Sequence, residues 1–383
     1  MPAHHYAIFS ALYLPHTGGV ENFTWHMAHE LAARGCAVEI VTMRIDDSPE
    51  VETPERGVTV WRLPCRALMG GRLPWTRKCA RYTELMGRLD ALDIDRVLVN
   101  TRFYPHSLEG LAFAERAGAR VVVLDHGSAH LVLGNAFVDR VIAAYEHRVT
   151  DRGRRFGAVY AGISAKSAEW LAHFGIDTTL VVPNAIDAPA FRAASSGRDF
   201  KSELGIAPDE LLVAFAGRLT PEKGVGKLVE AARLLVDEPV RFVLAGAGFM
   251  EAEIRAAELA NVNPVGNLVP ADLSALLQAA DVFCLPSRSE GFCTSLLEAS
   301  ACGVPGVVSD FGGARELVPD EGYGWVLTDP SAQDVAQCLR ACARNRESLA
   351  DMGERARVLV EERYSWGGAV AALDTAFGDA AGA

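Results

Sequence analysis

The chain has 383 residues, 50% of them hydrophobic and 22% charged, which excludes a disordered protein and is too long for one ordinary core, so two domains of about 150–200 residues are expected. A formal charge of −12 argues against a general nucleic-acid binder, which needs a basic surface. Eight cysteines with no C-x-x-C pair point to reduced thiols in a cytosolic protein and away from a zinc site.

Taken in chain order, Tyr6–Phe9 reads as a strand, too short for a secretory signal core. Val20, Phe23, Thr24, Met27, Ala28 and Leu31 recur at helical spacing and predict an amphipathic helix over 20–34. Strand-like runs follow at Val38–Met43, Arg96–Val99, Arg120–Leu124, Ala158–Gly162 and Thr179–Val182, with helix-like segments between most of them. Between Trp61 and Thr83 stand Arg62, Arg66, Arg72, Arg77, Lys78 and Arg81 with no acid, interleaved with Leu63, Leu68, Met69, Leu73, Trp75 and Tyr82. Such a mixture suits either an anionic membrane surface or a solvated surface loop and helix.

The alternation restarts after Pro183-Asn-Ala-Ile-Asp187 and the polar stretch Ser195-Ser-Gly-Arg198, the best interdomain connection. Strands are expected at Leu211–Ala216, Arg241–Leu244, Val282–Leu285, Gly306–Ser309 and Gly324–Leu327. Helices are expected at Gly226–Leu235, Ala271–Ala279, Gln333–Arg344 and after Glu361. Repeated strand–helix–strand units predict parallel sheets with helices on both faces. The fold class is therefore α/β, with two Rossmann-like doubly wound domains, 1–183 and 184–363, facing each other across a cleft. The longest apolar runs are strand-sized, so no membrane-crossing helix is expected.

Several loops carry candidate chemistry. Gly18 and Gly19 sit where the first strand turns into the first helix, which allows close backbone approach to an anion, although a tight turn alone would also use them. Gly217-Arg-Leu-Thr-Pro-Glu-Lys-Gly224 places Arg218 and Lys223 in a short loop after a central strand, where ligands gather in open α/β sheets. Two cations there suit a diphosphate and its stabilisation as a leaving group, and an ion pair of Arg218 with Glu222 is the bland alternative. In Glu290-Gly-Phe-Cys-Thr-Ser-Leu-Leu-Glu298 two carboxylates flank a helix start. Were the whole segment helical they would lie roughly 12 Å apart, the reach from ribose to hexose in a nucleotide-diphosphate sugar, with the helix start between them for the diphosphate. Gly246-Ala-Gly248 fails the dinucleotide fingerprint because Glu251 occupies its third small position, but Gly248 still permits close approach of a nucleotide. His126 ends a strand of the first half and can donate to a sugar hydroxyl or a developing charge. Asp93-Ile-Asp95 precedes a strand without further ligands, so it is read as punctuation and no metal is expected.

In order and spacing these residues resemble the family-four retaining glycosyltransferases of GT-B architecture. The resemblance runs through Gly18-Gly-Val-Glu21, Ala33 to Val41, the Asp-His-Gly around His126, Val182 to Asp187, Ala216-Gly-Arg218 and Lys223-Gly224. It continues through Ala280 to Ser287, Glu290 to Glu298, Phe311 to Glu316 and Tyr364-Ser-Trp366. It implies that Arg218 and Lys223 grip the donor diphosphate, Glu298 the ribose hydroxyls and Glu290 the transferred hexose. Gly18 and Gly19 would approach the phosphates, His126 would face the sugar near the reacting carbon, and Gly266 to Val269 would lie near the base. Gly291, Phe292, Cys293 and Thr294 would form the phosphate-binding helix start. A terminal helix over 364–383 would pack back on the first domain, which would bind the acceptor. Cys36, Ala185, Cys293, Thr294 and Ser300 depart from the usual residues of the family.

The implied reaction is transfer of a hexose from a UDP- or GDP-linked sugar to a hydroxyl acceptor with retention. Attack would come on the front face, with the departing phosphate taking the proton, and no cofactor or metal is implied. A saccharide or lipid-linked acceptor, membrane-surface contact through 61–83 and a cytoplasmic location at the inner face of a membrane complete the expectation. A sugar-nucleotide epimerase of the same architecture and a non-catalytic sugar-nucleotide-binding partner are the rivals. The failure at Glu251 puts a nicotinamide oxidoreductase last.

Overall fold

The computed structural model describes residues 4–379 except Thr17, Met69, Gly70, Arg72 and residues 131–135. Met69 and Arg72 of the basic stretch, and 380–383 of the expected terminal helix, therefore lie outside the described residues. The chain divides into two compact units, Met1–Asn184 with Trp366–Ala383, and Ala185–Ser365. No described helix is long and apolar enough to cross a membrane.

Unit 1 contains β1 (His5–Phe9), β2 (Ala37–Arg44), β3 (Val51–Glu55), β4 (Val58–Leu68), β5 (Leu73–Thr76), β6 (Arg96–Asn100), β7 (Arg120–Asp125) and β8 (Val159–Gly162). Their order is β3-β4-β2-β1-β6-β7-β8, with β5 on β4. The pairs from β4 to β8 are parallel, while β3 and β5 run antiparallel to β4. Unit 2 contains β9 (Leu211–Ala216), β10 (Val240–Ala245), β11 (Val262–Gly266), β12 (Val282–Leu285), β13 (Gly306–Ser309) and β14 (Gly324–Leu327). These are all parallel, in the order β11-β10-β9-β12-β13-β14. Helices cover both sheets, so β9 and β12 are apolar and buried at every position.

Both units are thus parallel-sheet α/β layers, as the alternation predicts. Counting only the parallel strands of each unit, both sheets run third, second, first, fourth, fifth, sixth. That order reverses direction between β1 and β6 in unit 1, and between β9 and β12 in unit 2. Loops leaving the carboxyl ends of the two strands at such a reversal diverge to opposite faces and open a crevice.

Three sequence expectations are corrected. The stretch from Trp61 to Thr83 is not a loop and helix: it holds most of β4, all of β5 and the start of the helix Ala80–Asp90. Its regular alternation is hidden because Arg62 is buried yet satisfied by Glu52 at 2.7 Å and by the Pro49 and Leu14 carbonyls. Thr179–Val182 forms a single bridge, Val181 to Gly162, and no strand. Conversely β11 escaped notice because Pro264 interrupts it, which an edge strand tolerates.

The helix Trp366–Ala376 belongs to unit 1. Trp366 stacks on His26 at 4.7 Å and sits 5.8 Å from the Phe23 ring. Past its end, Asp379 binds buried Arg96 through both oxygens at 2.9 Å. The helix Glu347–Arg363, immediately before it, lies in unit 2.

Candidate active site

In unit 2 the candidate residues gather at one edge of the sheet. Loops 217–224, 246–250 and 286–293 leave the carboxyl ends of β9, β10 and β12, and Gly266 closes β11. Backbone bonds tie these loops together: Leu219 N–H to Ala247 O at 2.9 Å, Gly246 N–H to Gly266 O at 2.8 Å, and Arg288 N–H to Glu222 O at 2.8 Å. Two close approaches demand glycine. Gly224 has φ +74°, and a Cβ there would stand 1.9 Å from the Pro286 carbonyl oxygen; Gly246 has φ +139°, and its Cβ would meet the Gly217 oxygen at the same distance. Gly248 lies against Leu219, where a Cβ would approach the carbonyl oxygen to 2.3 Å.

The crevice between β9 and β12 is bridged by one ion pair. Lys223 Nζ stands 2.7 Å from Glu290 Oε1, with side-chain exposures of 20% and 8%. Removing a carboxylate from water costs several kcal/mol unless a partner compensates it, and Lys223 is that partner. Arg218 is arranged differently: its guanidinium is 64% exposed and reaches Glu222 only at 3.7 Å. Screening leaves such a pair worth about 0–1 kcal/mol, so Arg218 is available to another anion.

Residues 290–293 are not helical; the helix begins at Thr294 and ends at Ala301. The sequence estimate of the spacing between Glu290 and Glu298 assumed a continuous helix and is withdrawn. Phe292 packs on Tyr364 with ring centroids 5.5 Å apart. Cys293, at the helix N-cap, is held in the left-handed region at φ +70°, a conformation costing about 1–2 kcal/mol for a side chain with Cβ. It is buried, and its thiol donates to the Phe311 carbonyl at 3.4 Å. Glu298, on the second turn, is partly buried, and burial pushes its carboxyl up to about 7 from 4.5. Among the described residues no group donates to that carboxyl.

In unit 1, β6 ends at Asn100 beside the sheet reversal and β7 leads into His126. Burial lowers the His126 imidazole to about 3, so it is neutral near pH 7. Its Nε2 lies 3.0 Å from Asn100 Oδ1, while Asn100 Nδ2 donates to Thr24 Oγ1 at 2.8 Å and that hydroxyl donates to Val20 O at 2.7 Å. The chain has one consistent direction: Oδ1 accepts, so Nε2 carries the proton and Nδ1 keeps its lone pair. In this tautomer the nitrogen left to face a ligand, Nδ1, is an acceptor. Gly18 caps the first helix in extended backbone, its Cβ position closed by Glu21 Oε2 at 2.3 Å, whereas Gly19 faces open space. The Phe23 ring meets His126 edge-on at 5.1 Å.

Sequence reasoning did not find Asn100 and Thr24, which no motif marks, nor could it pair Lys223 with Glu290 across 67 positions.

A Rossmann-type strand reversal in each of the two units defines the class, and sequence comparison gives the family. Residues 17–188 match the family described as Glycosyltransferase Family 4, and residues 197–359 match Glycosyl transferases group 1. The chain belongs to the family-four glycosyltransferases of GT-B architecture. It is 29% identical to a D-inositol 3-phosphate glycosyltransferase of Pseudarthrobacter chlorophenolicus, over 91% of this chain and 87% of that protein. It is 24% identical to an uncharacterised glycosyltransferase of Methanocaldococcus jannaschii, over 94% of each. Among solved structures, sucrose-phosphate synthase from Thermosynechococcus elongatus superposes with a TM-score of 0.73 at 19% identity, covering 97% of both chains. Anabaena HepE in complex with UDP-glucose does so at 0.69 and 20% identity, covering 97% of this chain and 98% of that one.

The raised Glu298 carboxyl has a thermodynamic consequence. Below 4.5 it is protonated folded and unfolded and makes no difference; between 4.5 and about 7 the unfolded chain ionises first, so native stability falls. Above about 7 the loss is complete and constant. Glu298→Gln removes it, so its melting temperature should gain on the wild type between about pH 5 and about pH 8; a difference independent of pH would contradict this account.

Proposed function

We propose that the chain is a retaining glycosyltransferase that moves a hexose from a UDP- or GDP-linked sugar to a hydroxyl acceptor in cell-surface glycan or glycolipid assembly. The observation carrying the proposal is the unit 2 crevice. There a cation available to a diphosphate, a Lys–carboxylate pair and an unpartnered carboxyl stand at the carboxyl edge of one parallel sheet, where α/β proteins take nucleotides. HepE, a protein of the same fold, is described in complex with UDP-glucose.

Arg218 and Lys223 hold the diphosphate and offset the charge that develops as it departs. Glu298 accepts from the ribose hydroxyls, which supply the donors its partly buried carboxyl lacks. Glu290 accepts from hydroxyls of the transferred hexose while Lys223 compensates its charge; it positions the sugar and forms no bond to it. Gly248 and Gly266 admit the nucleotide, and Gly291 to Thr294 present the helix start to the phosphates. In unit 1, Gly18, Gly19 and His126 serve the same reaction from their own sheet reversal, His126 through the accepting Nδ1. The positive charge this requires comes from side chains and a helix start, so no metal ion is needed. Unit 1 takes the acceptor, a saccharide or a lipid-linked one.

A panel of nucleotide sugars assayed for nucleotide-diphosphate release, with product configuration read by NMR, tests the proposal. Release with one UDP- or GDP-sugar and a product of unchanged anomeric configuration is expected; an inverted product would overturn retention. With that donor, Glu290→Gln should lower kcat about 100-fold, the cost of a misplaced sugar, with little change in donor affinity. An unchanged kcat would remove Glu290 from the site.

The hairpin β4–β5 supports a location at the inner face of a membrane. Arg62, Lys78 and Arg81 are neutralised by Glu52, Glu109 and Glu50, but Arg66 and Arg77 are exposed beside Leu68 and Trp75, which are 43% and 46% exposed. This smaller patch is worth about 1 kcal/mol per basic residue at an anionic surface. Sedimentation with vesicles containing anionic lipid should carry the protein down at low salt and release it at high salt. Equal recovery with neutral vesicles would contradict a charge-driven contact.

A further inference from the structure

Outside the residues discussed so far, three histidines of unit 1 converge. His130 follows β7 in the segment that begins at His126, His147 lies on the helix Ala136–Gly153, and His173 lies on the short 3-10 turn Ala172–Phe174. Their ligand atoms all fall within 4.8 Å of one another. His173 Nε2 stands 3.2 Å from His130 Nε2 and 3.2 Å from His147 Nε2.

Hydrogen bonding alone does not satisfy this arrangement. His130 Nδ1 lies 2.8 Å from Glu146 Oε2, and Glu146 is buried against the Arg102 guanidinium at 3.3 Å, which keeps it an acceptor. His130 therefore carries its proton on Nδ1 and turns a lone pair at Nε2 towards His173. A single proton on His173 Nε2 cannot satisfy both contacts: if that nitrogen donates to His130 it has no lone pair to accept from His147. A single cation serves all three. Ligand nitrogens at about 2.0–2.1 Å from one tetrahedral zinc ion stand about 3.3–3.4 Å apart, close to the two observed spacings.

We propose that His130, His147 and His173 form a binding site for a divalent d-block cation of the zinc type. Three imidazoles select such an ion over magnesium or calcium, which prefer oxygen. Glu146 supplies the carboxylate that commonly backs a metal-bound histidine, fixing its tautomer and raising its basicity. The indole of Trp170 stacks on His173 at 4.7 Å and 8° and fixes the orientation of that ring. His173 is exposed, so the ion has a path in and a fourth position open to water. The ion ties together three segments of unit 1, one of them starting four residues before His130 at His126. Its role is to hold these segments, and it takes no part in holding the donor. No motif announces the site, because the ligands are 17 and 26 residues apart and none pairs at metal-binding spacing.

The test uses the full chain, free of any histidine tag and stripped with a chelator, titrated with zinc sulfate by calorimetry. His173→Asn changes an exposed side chain and should fold normally, which circular dichroism checks; His147→Gln is the second variant. One equivalent should bind the wild type, each variant should lose at least about tenfold in affinity, and zinc should raise the melting temperature of the wild type alone. Failure of the wild type to take up one equivalent would overturn the proposal. So would equal uptake by both variants, which would place the ion on the thiols, and wild-type uptake without a thermal shift would overturn the holding role. None of these outcomes bears on the donor site of unit 2.

Discussion

The ion pair between Lys223 and Glu290 spans the point where the strand order of unit 2 reverses. Every other feature of the crevice depends on what holds those two side chains together. Lys223 is brought to the edge by a turn that only Gly224 can make, against the Pro286 carbonyl of the opposite loop. Glu290 is carried on that opposite loop, whose backbone also accepts the Gly312 and Gly313 segment closely enough that neither glycine has room for a side chain. A charge pair formed between loops of adjacent strands fixes their separation and therefore the width of the crevice. Beside it Arg218 is exposed and Glu298 has no donor among the described residues, the two groups that the proposed nucleotide-diphosphate sugar would serve.

Unit 1 repeats the strand order, and a relay of neutral groups runs beside its reversal. The relay from Val20 through Thr24 and Asn100 to His126 is a hydrogen-bond chain of single direction. It leaves an uncharged imidazole with a lone pair, suited to orienting a hydroxyl rather than binding a phosphate. Next to that relay, Arg102 after β6, Asp125 at the end of β7 and Glu146 form a buried charged network. Arg102 also covers the Phe174 ring at 3.6 Å. That network compensates two buried carboxylates and, through Glu146, reaches the histidine cluster.

Much of this was legible in the sequence because parallel strands covered on both faces write themselves as continuous apolar runs: Leu211–Ala216 and Val282–Leu285 are examples. The glycine loops were legible for the same local reason, since a tight approach of backbone to backbone tolerates little else. What stayed hidden was set by tertiary contact. Arg62 sits in a strand because Glu52 is there to meet it, and Pro264 sits in one because that strand is at an edge. Cys293 was visible as a departure from the family, but not as a side chain held in the left-handed region. The partner of Glu290, the tautomer of His126 and the meeting of His130, His147 and His173 depend on residues far apart in the chain.

The central claim is that the loops at the carboxyl edge of unit 2 receive the donor nucleotide. Hydrogen exchange measured by mass spectrometry, with and without saturating UDP or GDP, addresses it without requiring the sugar or the acceptor to be known. The account predicts slowed exchange in peptides covering 217–224, 246–250 and 290–298, with the sheet interior unchanged. A nucleotide that binds while leaving all three loops exchanging at their free rates would contradict it.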